Sequence, residues 1–216
     1  MPLSRAYSLT DFVLPVLAMC AVVAASNILV QYPFNHFGLG EILTYGAFTY
    51  PIAFLVNDLS NRRFGPVFAR RVVYAGFAIA VVLSVWLATP RIAIASGTAF
   101  LTAQLLDITV FSKLRQLTWW KAPFASAICG SLLDTLLFFS IAFAAHFAWI
   151  DTMTGQPDSS LAMPVPFFSS EIPLWASLGF GDLLVKIVMA VVMLVPYGAV
   201  LAIFAPAIYS ANRNSR

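Results

Sequence analysis

From Phe12 to Tyr209 the sequence is a succession of apolar runs, each long enough to cross a hydrocarbon core of about 30 Å as a helix of about 20 residues. The runs are continuous in Leu, Ala, Val, Phe and Ile instead of alternating with polar residues, so they read as helices and not as strands of a membrane barrel. With 61% hydrophobic and 10% charged residues, the 216-residue chain has almost no surface to solvate in water. The bilayer must be its solvent. Periodicity and breakers predict an all-α polytopic bundle, a single integral membrane domain over 1–216. Its six transmembrane helices fall at about 12–31, 42–57, 72–89, 91–112, 122–145 and 181–209. A loop at about 146–179, rich in Pro, Ser and Phe, separates the last two, and no room is left for a soluble catalytic domain.

Local signals refine this plan. Ser8 and Asp11 have the S-x-x-D spacing of a helix start, which makes Asp11 a cap. The basic residue Arg5 followed by an apolar run resembles a secretion signal, but the further spanning runs favour an uncleaved first helix. Pro51 inside the short second helix frees a backbone carbonyl that must face protein or a polar cavity, so this helix is a candidate pathway wall. Cys20 and Cys129 lie inside apolar runs without metal-ligand spacing and read as small hydrophobes. Arg5, Arg62, Arg63, Arg70, Arg71, Lys113, Arg115, Lys121, Arg213 and Arg216 fall on one side of the predicted topology. Positive charge is retained in the cytoplasm, so both termini are expected there, and the 146–179 loop outside.

Polar residues inside such runs are expensive and must face the bundle interior or a water-filled path. At 1.5 Å per residue, Asn27, Gln31, Glu41, Arg91, Asp182 and Lys186 fall in the outer half, Gln104 and Asp134 near the middle, and Asp107 and Asp58 towards the cytoplasm. Phe100, Gln104, Asp107 and Phe111 share one helix face, suited to gripping a flat polar ring. Ser126, Gly130 and Asp134, four apart, form a small-residue groove leading to a carboxyl group. Asp182 and Lys186 are spaced for an ion pair within one helix. Asn27, Gln31, Gln104, Asp107, Asp134, Asp182 and Lys186 are therefore candidate substrate-binding residues. Tyr45, Phe48, Phe100, Phe138 and Arg91 are candidates for the pathway or aromatic wall. Arg91 also has a plainer reading, a side chain reaching to the outer interface, and Asp58 one as the partner of Arg62.

A series of stretches in order resembles the bacterial queuosine precursor transporter family. They are SNILVQYP from Ser26, YGAFTYP from Tyr45, DLSNRRFG from Asp58, ARR ending at Arg71, RIAIAS from Arg91 and QLLD ending at Asp107. FSKLRQ from Phe111, WWKAPFAS from Trp119, LDTLLFFSIAF from Leu133, and the Asp182, Lys186 and Pro196-Tyr197 positions complete them. The resemblance implies a multi-pass importer of the bacterial inner membrane, without its own nucleotide-binding domain. It would take up 7-cyano-7-deazaguanine and 7-aminomethyl-7-deazaguanine to supply tRNA queuosine modification. The partners so implied are a small-molecule 7-deazaguanine and membrane lipids, with no direct nucleic-acid contact, no metal and no cofactor; homo-oligomerisation stays open. A deazaguanine offers N1–H and a 2-amino group to a carboxylate, and a carbonyl oxygen to a donor such as Lys186, Asn27 or Gln104.

Three other readings compete, and in one of them, a structural membrane subunit, the buried Asp107, Asp134 and Lys186 would be an unnecessary energetic burden. A substrate-binding subunit of an energy-coupling complex would need partner ATPases. An intramembrane enzyme would need a catalytic constellation, yet the chain has no G-x-S-x-G element and no H-E-x-x-H motif, and His36 and His146 both fall in predicted outer loops. The expectation is a transporter without enzymatic activity.

Overall fold

The computed structural model describes residues 9–29, 32, 34–36 and 45–213, and side chains within these ranges from Phe12 to Ile203. Gln31, Glu41 and the extreme ends of the chain, including Arg5 and Arg216, lie outside the described residues. The elements are α1 (Leu9–Leu29), α2 (Gly46–Phe64), α3 (Pro66–Leu87), α4 (Pro90–Leu114), α5 (Lys121–Phe143), a short 3-10 turn (Ala145–Phe147), α6 (Ala148–Thr154), β1 (Pro164–Phe167), β2 (Ser170–Pro173) and α7 (Leu174–Arg213). Within the described residues, five helical segments are long and apolar enough to cross a membrane. They are Phe12–Leu29, Pro66–Leu87, Pro90–Leu114, Lys121–Phe143 and Leu174–Ile203. The α1 and α7 segments are the least covered by protein, with large apolar side chains such as Leu14 and Val195 pointing outward.

The sixth long helix, α2, is the polar one, and packing explains how it is tolerated. It runs to Phe64, past the expected end near residue 57, because DLSNRRF is helical and turns Asn57, Asp58, Ser60 and Asn61 inward. It packs against α1, α3, α4, α5 and α7, so apolar neighbours shield it from lipid. Gly65, in the left-handed region at φ +89°, and Pro66 at the first position of α3 reduce the expected long loop to a one-residue break. Thr89 caps α4, its hydroxyl accepting from the Ile92 N–H at 3.5 Å, and Pro90 supplies the first helical residue.

Close approach of α4 and α5 follows from the small residues Ala95, Ala99 and Ala103 on one and Ser126, Ala127 and Gly130 on the other, all buried. Gly130 has no space for a side chain: a Cβ there would sit 2.6 Å from Phe54 Cε1 and 3.4 Å from the Ala103 carbonyl oxygen. The apolar core gathers where α1, α2, α3 and α4 meet, with Met19, Ala53, Val72, Val73 and Phe100 packed together.

The 146–179 stretch carries structure of its own. After α6 ends at Gly155, in the left-handed region at φ +67°, β1 and β2 pair antiparallel from Pro164 opposite Pro173 to Phe167 opposite Ser170. Strands of four residues are too short to show a period of two in the sequence. The segment is tied to the bundle by backbone bonds from the Leu161 N–H to the Phe143 carbonyl (2.9 Å) and from the Trp175 N–H to the Leu161 carbonyl (3.2 Å).

Candidate functional site

The polar interior has two centres, both built on α2. In the first, the Lys186 ammonium of α7 donates to Asp134 Oδ2 of α5 at 2.7 Å and to Thr135 Oγ1 at 3.2 Å, and pairs with Asp182 one turn before it. Thr135 donates to Asp182 Oδ2 at 2.8 Å, and the Tyr50 hydroxyl of α2 donates to Asp134 Oδ1 at 3.0 Å. Lys186 also lies 5.6 Å from the centre of the Tyr50 ring, a cation–π contact. Lys186 and Asp134 are both buried, so the ion pair is sheltered from solvent and lipid alike. One cation thus stands between two carboxyl groups, in a setting where each group depends on the others for its solvation.

The second centre lies in the seam between α2 and α4. Asn57 Nδ2 donates to Asp107 Oδ2 at 2.8 Å and to the Gln104 backbone carbonyl at 3.3 Å. A turn further, Asn61 Nδ2 donates to the Ile108 carbonyl (3.2 Å) and to Ser112 Oγ (3.1 Å), locking the two helices in register. Ser126 of α5 donates to Asp58 Oδ1 at 3.3 Å. Three side-chain atoms here are buried and have no hydrogen-bond partner among the described residues, Asn57 Oδ1 and both Oε1 and Nε2 of Gln104, while Asp107 Oδ1 is buried with the Asp58 carboxyl group and Ser126 close by.

Between α2, α5 and α7 lies a cavity of about 20 Å³, the room of about one water molecule, with Asp58 and Lys186 both in its wall. Small-molecule pockets start at about 300 Å³, so this cavity is too small to hold a base.

Each end of the bundle is stapled by a buried or half-buried arginine. Arg91, fully buried, donates to the Ile141 and Ala144 carbonyls at 2.8 and 2.6 Å, to Asp151 Oδ2 at 2.7 Å and to Ser160 Oγ at 3.2 Å. Burial pushes the Asp151 carboxyl up, but hydrogen bonds from Ser159 and the Arg91 guanidinium outweigh it and hold it below the ordinary carboxylate range. At the opposite end Arg62 donates to the Tyr197 hydroxyl (2.8 Å), the Arg115 carbonyl (2.6 Å) and the Trp119 carbonyl (3.4 Å), and lies over the Phe111 ring.

Comparison with known proteins places this architecture. A family model described as "Putative vitamin uptake transporter" matches residues 44–89 and 84–200, which contain both polar centres and both arginines. The chain is 35% identical to the "Probable queuosine precursor transporter" of Haemophilus influenzae, over 83% of this chain and 82% of that protein. It is also 35% identical to the "Queuosine precursor transporter" of Escherichia coli, over 83% and 81%. The chain belongs to the queuosine precursor transporter family. Another protein of this name, from Bacillus subtilis, is 27% identical over 55% of this chain and 63% of its own length. No solved structure matches.

In this member of the queuosine precursor transporter family, the candidate residues divide into those the bundle gathers and those it disperses. Asp134, Asp182 and Lys186 meet, as the helix spacing predicts for the last two; Gln104 and Asp107 meet Asn57. Phe100 joins the first centre through an edge contact with Tyr50, ring centres 6.1 Å apart. Asn27 does not join it: its amide donates to the Val23 carbonyl at 2.9 Å and its oxygen faces Ser84 of α3. Tyr45 and Phe48 pack on Phe34, while Phe138 packs on Phe139 and Phe143. Arg91 does not reach to an interface but is fully buried under the α6 segment, and Arg62 binds Tyr197 and carbonyls of the α4–α5 turn. Sequence reasoning passed over Asn57, Tyr50, Thr135 and Asp151. Asn57 stood beside Asp58 at the expected end of the second helix, where the pattern read as the start of a polar loop.

Proposed function

We propose that this chain imports queuosine precursors, 7-deazaguanines such as 7-cyano-7-deazaguanine and 7-aminomethyl-7-deazaguanine, across the bacterial inner membrane for tRNA queuosine modification. The observation that carries the reading is the 35% identity to two queuosine precursor transporters over more than four fifths of the chain. The interior supports it: aromatic rings beside buried carboxyl, amide and ammonium groups suit a flat, hydrogen-bonding base. In this reading α2 is the sixth crossing, and Gln104, Asp107, Asp134, Asp182 and Lys186 line the route. Proteoliposomes containing this protein alone should accumulate labelled 7-cyano-7-deazaguanine. Empty-vesicle rates would refute the reading, whereas uptake appearing only with added ATPase partners would make the chain a binding subunit of an energy-coupling complex.

Orientation follows from the arginine and lysine residues gathered at the end carrying the α2–α3 and α4–α5 turns, which belongs in the cytoplasm by the positive-inside rule. In a background with Cys20 and Cys129 replaced by Ala, a thiol introduced by Met153→Cys on exposed α6 should react with an impermeant maleimide in intact cells. One introduced by Leu117→Cys should react only after lysis. The reverse pattern would invert the topology.

A further inference from the structure

Asp134 is a candidate to recognise a guanine-like edge, but both of its oxygens are occupied, one by Tyr50 and one by Lys186. A ligand there would have to displace a buried cation. The seam between α2 and α4 is different, because Asn57 Oδ1 and both ends of the Gln104 amide are fully buried and have no partner among the described residues, and Asp107 Oδ1 is buried close to the Asp58 carboxyl group. Such atoms are costly to retain without a use. Gln104 and Asp107 are three residues apart on α4, and Asn57 Nδ2 touches both the Gln104 carbonyl and the Asp107 carboxylate, so the three residues converge on one place.

The chemistry of the four atoms is selective. Three oxygens accept and one amide nitrogen donates, and exchanging the two ends of the Gln104 amide leaves this inventory unchanged. Three oxygens alone would suit a cation, but a cation repels the amide N–H group beside them. A ring that presents two donors next to one carbonyl uses both kinds. Phe100 stands one turn before Gln104 and Phe111 one turn after Asp107, so a buried aromatic ring lies at each end of the seam.

We propose that Asn57, Gln104 and Asp107 form the recognition site for the lactam and amine edge of a purine-like base, opened when the α2–α4 seam parts. The Gln104 amide N–H donates to the ring carbonyl, while Asp107 and Asn57 accept from the ring N–H and the exocyclic amine. The edge is assigned from the seam itself; the 7-substituted base rests on the transport reading above.

The test is calorimetric binding to the purified full chain, with 7-cyano-7-deazaguanine, guanine and the 2-deamino analogue of the former as probes. The wild type should lose about tenfold in affinity for the 2-deamino analogue. Gln104→Met should weaken binding of the two intact edges by about tenfold or more. Its melting temperature should stay unchanged or rise, because the amide has no internal partner to lose. Gln104→Leu, branched differently, guards against a packing fault peculiar to Met. Wild-type affinity in both variants overturns the site, and so does lost affinity accompanied by a lowered melting temperature in both. A wild type that ignores the deazaguanine but binds guanine through Gln104 keeps the site and rejects the queuosine-precursor reading. A wild type that binds none of the three overturns both.

Discussion

Lys186→Met is expected to be among the most damaging single substitutions in the bundle, because it leaves Asp134 and Asp182 facing each other without their shared cation. Lys186 and Asp134 are both buried, and no other cation bonds to either carboxyl group among the described residues. Removing one partner of a buried ion pair costs about 3–5 kcal/mol, since the group left behind keeps its desolvation and loses its compensation. For a domain of this size that lowers the melting temperature by on the order of 10 °C. Thermal unfolding in detergent measures it, and uptake by the same preparation should fall to the empty-vesicle rate. Adding Asp134→Asn and Asp182→Asn to Lys186→Met removes the stranded carboxyl groups and should restore most of the stability, but not the uptake. A single variant that melts like the wild type would show that this network does not hold α5 and α7 together.

Arg91→Met should release the α6 and hairpin segment from the bundle. Arg91 is the point where α4, the end of α5 and the 151–160 stretch are joined, through two backbone carbonyls, Asp151 and Ser160. Losing it strands the buried Asp151 carboxylate, again at about 3–5 kcal/mol. Arg91→Lys should rescue little, because one compact ammonium cannot span donors that a planar fork reaches together. Limited proteolysis between 152 and 163 should accelerate at least tenfold in both variants, and wild-type rates in both would refute the staple.

Acid should act on the same joint. Asp151 is held below its ordinary value of about 4, so its contribution is fully present above that pH and is lost as pH falls through the lower folded value. Wild-type cleavage in this stretch should therefore rise as pH drops below about 4, while Asp151→Asn should be cleaved faster at neutral pH and respond less to acid.

Both expectations concern contacts between residues far apart in the chain, and the same division separates what was readable from the sequence. The apolar runs located the long helices, because a helix in lipid satisfies its own backbone and needs only length and apolarity, both of which are local. Helix geometry likewise put Gln104 with Asp107, Ser126 with Gly130 and Asp134, and Asp182 with Lys186, since rotation per residue alone decides which positions share a face. It did not say which neighbouring helix each face would meet. That Asp134 answers Lys186 across 52 residues, Asn57 answers Asp107 across 50 and Arg91 answers Asp151 across 60 was decided by the packing of the bundle. The polarity of α2 shows the same dependence: its Asn57–Asn61 turn looked like a loop because a polar helix is unstable in lipid, and only its surrounding neighbours make it the centre of the fold.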